Sequence, residues 1–107
     1  MRPTLSQLEL HYTDLQKANE RAFRRTTASL ENLPFIAVIL AGPNAILKVR
    51  AMTGSTDPVK AAAGTIRGDY GFDTIEQADA ENRATNNLIH AADSEASVDR
   101  ETAIWFG

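Results

Sequence analysis

A chain of 107 residues, 43% hydrophobic and 23% charged, has room for one modest domain. Its formal net charge of -3 offers no electrostatic footprint for nucleic acid, and the lack of any cysteine removes disulfide frameworks, thiolate nucleophiles and zinc ribbons while fitting a reducing compartment. The opening MRPTLSQLEL lacks the apolar stretch of a secretory signal and no segment approaches the roughly 18 apolar residues of a membrane span, so the expected location is the cytoplasm, with no membrane partner.

Thr4 and Gln7 have the spacing of a capping box, and Leu5, Leu8, Tyr12 and Leu15 follow at helical spacing, which predicts a helix from about residue 4. A second helix is predicted over 20–32, with Arg21, Arg24 and Arg25 on a solvated face. PFIAVIL at 34–40 is a continuous apolar run rich in branched residues, the pattern of a strand covered on both faces. Asn44 is placed to cap a helix running to about Thr53, with Ile46 and Val49 inward, and Asp57 before Pro58 reads as the start of a short helix. Residues 61–73 read as glycine-punctuated loop. Thr74 and Gln77 repeat the capping pair ahead of a helix to Arg83; NLIHA then reads as a second strand, and a last helix is predicted from about Glu95 to Trp105. Two strands alone make a marginal sheet, and both are too apolar for exposed edges. Each should lie beside a strand that the chain does not supply, which predicts low stability or self-association.

The chemistry centres on His90, at the end of NLIHA. The other histidine, His11, completes no sequence-local metal site. Glu101 shares a helical face with Val98 and Trp105, which aims its carboxylate inward, and a buried carboxylate needs a partner. If that partner is His90, one ring nitrogen is fixed and the other is left as acceptor or nucleophile; an imidazole of ordinary pKa is roughly three-quarters neutral at pH 7. A purely structural hydrogen bond is the other reading. Arg50, Thr56, Thr65 and Arg67 offer the cations and hydroxyls that a transferring phosphate needs, although in isolation Arg50 reads more readily as a surface residue on a helix and Arg67 as a loop salt bridge. Neither GxxxxGK[ST] nor GxGxxG is present. RGD at 67–69, with no secretory signal, is not read as an adhesion tripeptide.

HY at 11–12, GSTDPVKAAAGTIRGDYG at 54–71, NLIHAADS at 87–94 and RETAIWF at 100–106, in this order and spacing, resemble the nucleoside diphosphate kinase family. The resemblance runs the length of the chain and is weakest over 16–33. It implies a ferredoxin-like α+β sandwich and transfer of the terminal phosphate of ATP through a phosphohistidine to a nucleoside diphosphate, with Mg2+ bound through the nucleotide phosphates, in a homo-oligomer. By motif, His90 looks like the nucleophile and Glu101 like the carboxylate that orients it. Arg50, Thr56 and Arg67 look like phosphate ligands, Asn87 like the ribose contact, Tyr12 like the active-site tyrosine and Phe23 like the base-stacking aromatic.

The chain also departs from the family pattern. Phe23 lies in RAFRR rather than Pro-Phe-Phe. Ala92 replaces a serine that supports the histidine and glutamate, Asn86 replaces an arginine, and the connection over 72–86 is longer than usual. The strand with a Lys-Pro-Asp motif and the helix after it have no counterpart, so residues 1–107 are expected to form one partial, N-terminally truncated domain. A non-catalytic fragment that binds nucleotide or associates with subunits is the competing expectation.

Overall fold

The computed structural model describes all residues, 1–107. They divide into two compact units, one of Met1–Ile39 with Asp99–Gly107 and one of Leu40–Val98.

In the first unit, α1 (Leu5–His11) starts at Thr4, whose hydroxyl accepts from the Gln7 amide while the Gln7 side chain returns to the Thr4 N–H, the full capping box. The helical stretch breaks at Tyr12, which ends α1 and precedes α2 (Thr13–Ala18). α3 (Glu20–Leu30) starts at Asn19, whose side chain accepts from the Ala22 amide. α3 packs on α1 and α2, burying Leu8, Phe23 and Thr27. Arg21 and Arg24 are exposed, Arg24 pairing with Glu20 one turn back, as a solvated arginine face requires, whereas Arg25 is half-buried.

In the second unit, α4 (Ala45–Thr53) turns Ile46 and Val49 partly inward and leaves Leu47 exposed. Asn44 takes a left-handed conformation, φ 54°, and its side chain caps nothing, contrary to the expected cap. The turn rather than the side chain starts this helix, an excursion that asparagine tolerates. A single 3-10 turn covers Pro58–Lys60. The stretch 61–73, expected as loop, contains α5 (Ile66–Tyr70), because the Thr65 hydroxyl accepts from the Gly68 amide. α6 (Ile75–Ala80) is capped by Thr74 as predicted. Asp73 ties its far side down: Arg83 donates both terminal nitrogens to the carboxylate, at 2.6 and 3.0 Å, and the Asn86 amide donates at 2.7 Å. α7 (Glu95–Phe106) supplies residues to both units.

The structure has no β-strand, and this overturns the expected ferredoxin-like α+β sandwich. Phe35 and Met1 exchange two backbone hydrogen bonds of 2.8 Å, yet no ladder continues beyond that pair. Ile36, 89% exposed, and Val38, Ile39 and Leu40 stand in water. A strand exists only through its neighbours, and apolar composition without a partner leaves an extended segment. NLIHA is a tight turn instead: the Ile89 amide donates to the Asn87 carbonyl across Leu88, which has φ 72°. That hydrogen bond and φ are those of a γ-turn, which reverses a strand's direction.

Candidate active site

The second unit carries the GTIRGD motif, and its residue types follow from crowding. Gly54 has φ 87°, and a Cβ there would lie 2.5 Å from the Thr65 hydroxyl; at Gly68 a Cβ would lie 2.0 Å from the Ala62 carbonyl oxygen. Only glycine fits at either position. The close turn sends Arg67, 7% exposed, inward. Its guanidinium donates Nε to the Asn87 carbonyl at 3.2 Å, Nη1 to the Gly54 carbonyl at 3.0 Å and Nη2 to the Ile89 carbonyl. Burial, and then the like charge of Arg50, lowers its pKa from the usual arginine value.

Arg50, in the last turn of α4, donates Nη1 to the Ala91 carbonyl at 3.2 Å. The carbonyls on either side of His90 are therefore each held by an arginine. The His90 side chain is exposed. Thr56 lies exposed in the same unit, after Gly54. Asn87 is half-buried, with its carbonyl spent on Arg67. After His90, Asp93 accepts from the Ser97 hydroxyl at 2.7 Å, and that hydrogen bond above all draws its carboxyl pKa down.

Glu101 and Tyr12 belong to the first unit. Trp105, on α7, donates its indole N–H to His11 Nδ1 at 3.0 Å, and His11 Nε2 lies 4.0 Å from Glu101 Oε1. Tyr12 packs edge-on against the His11 ring. Burial, and then the Glu101 charge, raises the pKa of its phenol. Phe23 is 4% exposed, so its ring has no face to offer a base.

Sequence reasoning read His11 only as completing no local metal site and Trp105 only as marking the apolar interior toward which Glu101 points. The missed signal was the chain's single tryptophan, whose N–H needs an acceptor once it is covered. It also missed that Arg67 would be committed to backbone, which no spacing in the sequence reveals. The same burial keeps the arginine of the RGD tripeptide out of solvent, although Asp69 is exposed.

The family model described as "Nucleoside diphosphate kinase" matches residues 1–107. The nucleoside diphosphate kinase of Mycobacterium leprae is 49% identical over 74 residues, 68% of this chain and 47% of the relative. That of Mycobacteroides abscessus is 38% identical over 112 residues, 96% of this chain and 75% of the relative. The chain spans about half the length of the first curated relatives it matches. A Borrelia burgdorferi structure, described as a transition state mimic of nucleoside-diphosphate kinase with bound vanadate and ADP, superposes with a TM-score of 0.86 at 26% identity, over 100% of this chain and 66% of that one. An NDP kinase structure from Pyrobaculum aerophilum, at 23% identity and TM-score 0.78, matches in fold.

Proposed function

The chain belongs to the nucleoside diphosphate kinase family, and on that premise we propose that it moves the terminal phosphate of ATP to a nucleoside diphosphate through a phosphohistidine at His90. The observation that carries this reading is the pair of arginines, Arg50 and Arg67, bound to the carbonyls on either side of His90. Two guanidinium groups thus accompany an exposed imidazole, which is the charge that a transferring phosphate requires.

In the first half-reaction an unprotonated ring nitrogen of His90 attacks the terminal phosphorus. The N–P bond forms as the bond from that phosphorus to the bridging oxygen breaks, and ADP leaves with the electron pair. In the second half-reaction a terminal oxygen of another nucleoside diphosphate attacks the phosphohistidine and the N–P bond breaks. Glu101 is assigned to orient the ring and to stabilise the positive charge that develops on it. Arg50, Thr56 and Arg67 are assigned to the phosphates, Asn87 to the ribose and Tyr12 to the wall of the site. Phosphate oxygens are stronger acceptors than amide carbonyls, so a bound nucleotide competes for the N–H groups that Arg50 and Arg67 now spend on the backbone. Mg2+ enters on the nucleotide as part of the substrate. The Borrelia structure, with vanadate and ADP bound, supports a nucleotide and a transferring phosphate as ligands here as well. The reading carries with it a cytoplasmic homo-oligomer; no helix is long and apolar enough to cross a membrane.

Arg67's three backbone hydrogen bonds favour a second reading, in which the guanidinium stays structural and the chain binds nucleotide without turnover. Incubation with terminally labelled ATP, Mg2+ and unlabelled GDP separates the two. The catalytic reading expects labelled GTP, with kinetics in which each substrate reacts in turn. Saturable nucleotide binding with no labelled GTP would replace it with the second reading.

A further inference from the structure

His11 is buried, 8% exposed, and its two ring nitrogens are engaged differently. Nδ1 accepts the Trp105 indole N–H at 3.0 Å. An indole nitrogen only donates, so Nδ1 carries no proton and the neutral ring is protonated on Nε2. That nitrogen faces Glu101 Oε1 at 4.0 Å, beyond hydrogen-bond range but close enough for the polarised N–H to act on the carboxylate electrostatically. Both side chains are largely covered, 7% exposed for His11 and 13% for Glu101, so water screens the interaction weakly. The Trp105 ring is held in turn by Phe35, edge-on at 4.9 Å, and the Tyr12 ring packs edge-on against His11 at 4.6 Å. The tautomer and the rotamer of His11 are thus set by packed aromatic neighbours.

We propose that His11 is a positioning residue for Glu101, its tautomer fixed by Trp105 so that a ring N–H always faces the carboxylate. The proposal rests on the reading of Glu101 as the group that orients His90. A carboxylate that orients another ring must itself be oriented, and outer groups of this kind are commonly worth tenfold or more to the group they support. His11 touches neither phosphate nor nucleotide in this role; it acts through Glu101.

The test uses the full chain and three readouts. Nitrogen NMR of the His11 ring reports its tautomer, and the expected result is a proton on Nε2. Carbethoxylation of His90 by diethylpyrocarbonate, followed by mass spectrometry, reports the nucleophilicity of that ring without any nucleotide. Phosphorylation by labelled ATP and Mg2+ reports the reaction itself. His11→Leu should slow both His90 reactions by about tenfold. Trp105→Phe keeps an aromatic ring beside Phe35 but removes the donor; it should release the tautomer and slow both reactions as well. His11→Gln supplies an acceptor for Trp105 and an N–H for Glu101, and should restore both rates to within a few-fold of the parent. A proton on Nδ1 in the parent would overturn the proposal, as would unchanged His90 carbethoxylation in folded His11→Leu and Trp105→Phe. If the parent never takes phosphate from ATP while carbethoxylation still follows the His11 variants, the proposed function fails and the positioning role stands.

Discussion

Tyr12 loses water on folding and lies near an acidic side chain, and both effects oppose ionisation of its phenol, burial the more strongly. Its folded pKa is therefore raised above the unfolded value of about 10. The sign of the linkage follows: the contribution to stability is fully present below the unfolded pKa and is lost as pH rises through the folded one. An ultraviolet tyrosinate titration should show one of the two tyrosines ionising late, and Glu101→Gln should move that step part of the way back, since burial remains. A titration unchanged by Glu101→Gln would separate the carboxylate from Tyr12. The same scale shows where one-dimensional reasoning stops. Glu101 was legible from its helical spacing to Val98 and Trp105, and His90 from its motif. His11 was not, because its partners lie about ninety positions away in sequence, Trp105 being the donor.

At the scale of elements, local chemistry was legible and pairing was not. Thr4, Thr74 and the 95–106 stretch formed the caps and helices their spacing predicts, because a cap and a helical stripe are satisfied within a few residues. PFIAVIL and NLIHA failed as strands because a ladder needs a second chain segment that composition cannot guarantee. α5 was missed although Thr65 is an ordinary capping residue; the surrounding glycines suggested loop, whereas they serve close packing. The turn at Leu88 depends on a long-range contact, the Arg67 guanidinium across the 87–89 carbonyls. Arg67→Met should destabilise the chain by roughly 2 kcal/mol, since the part-buried Gly54 and Ile89 carbonyls lose their donor and each such loss costs about 1–3 kcal/mol. Denaturant melts of the two proteins check this. A change within about 0.5 kcal/mol, the usual range for an unremarkable surface substitution, would mean that the guanidinium does not hold the turn.

For the whole molecule the balance is set by a thin core. The buried apolar side chains are Leu8, Phe23, Ala78 and two prolines, Pro3 and Pro58, while the run from Ile36 to Leu40 keeps large branched side chains in water. An extended apolar segment with unpaired backbone groups is a template for pairing with another chain. The protein is therefore expected to self-associate in a concentration-dependent way, and Ile36→Lys with Ile39→Lys should reduce that association without unfolding the helices. Sedimentation and light scattering measure it; a parent chain that stays monomeric at tens of micromolar would contradict the expectation. This exposure also explains why the amphipathic patterning of the first unit was easier to read than its surroundings. A helix finds its core within the unit, whereas the 34–40 run leaves most of its apolar side chains exposed.

The proposed function stands or falls on whether His90 takes up phosphate. The direct measurement is to incubate the chain with terminally labelled ATP and Mg2+, isolate it, and locate the label by peptide mass spectrometry beside a His90→Ala control. The expected result is a phosphoryl group on His90 that is labile to acid and stable to base, passes to added nucleoside diphosphate, and is absent from His90→Ala. Equal labelling of His90→Ala, or a phosphoryl group mapped to another residue, would contradict it.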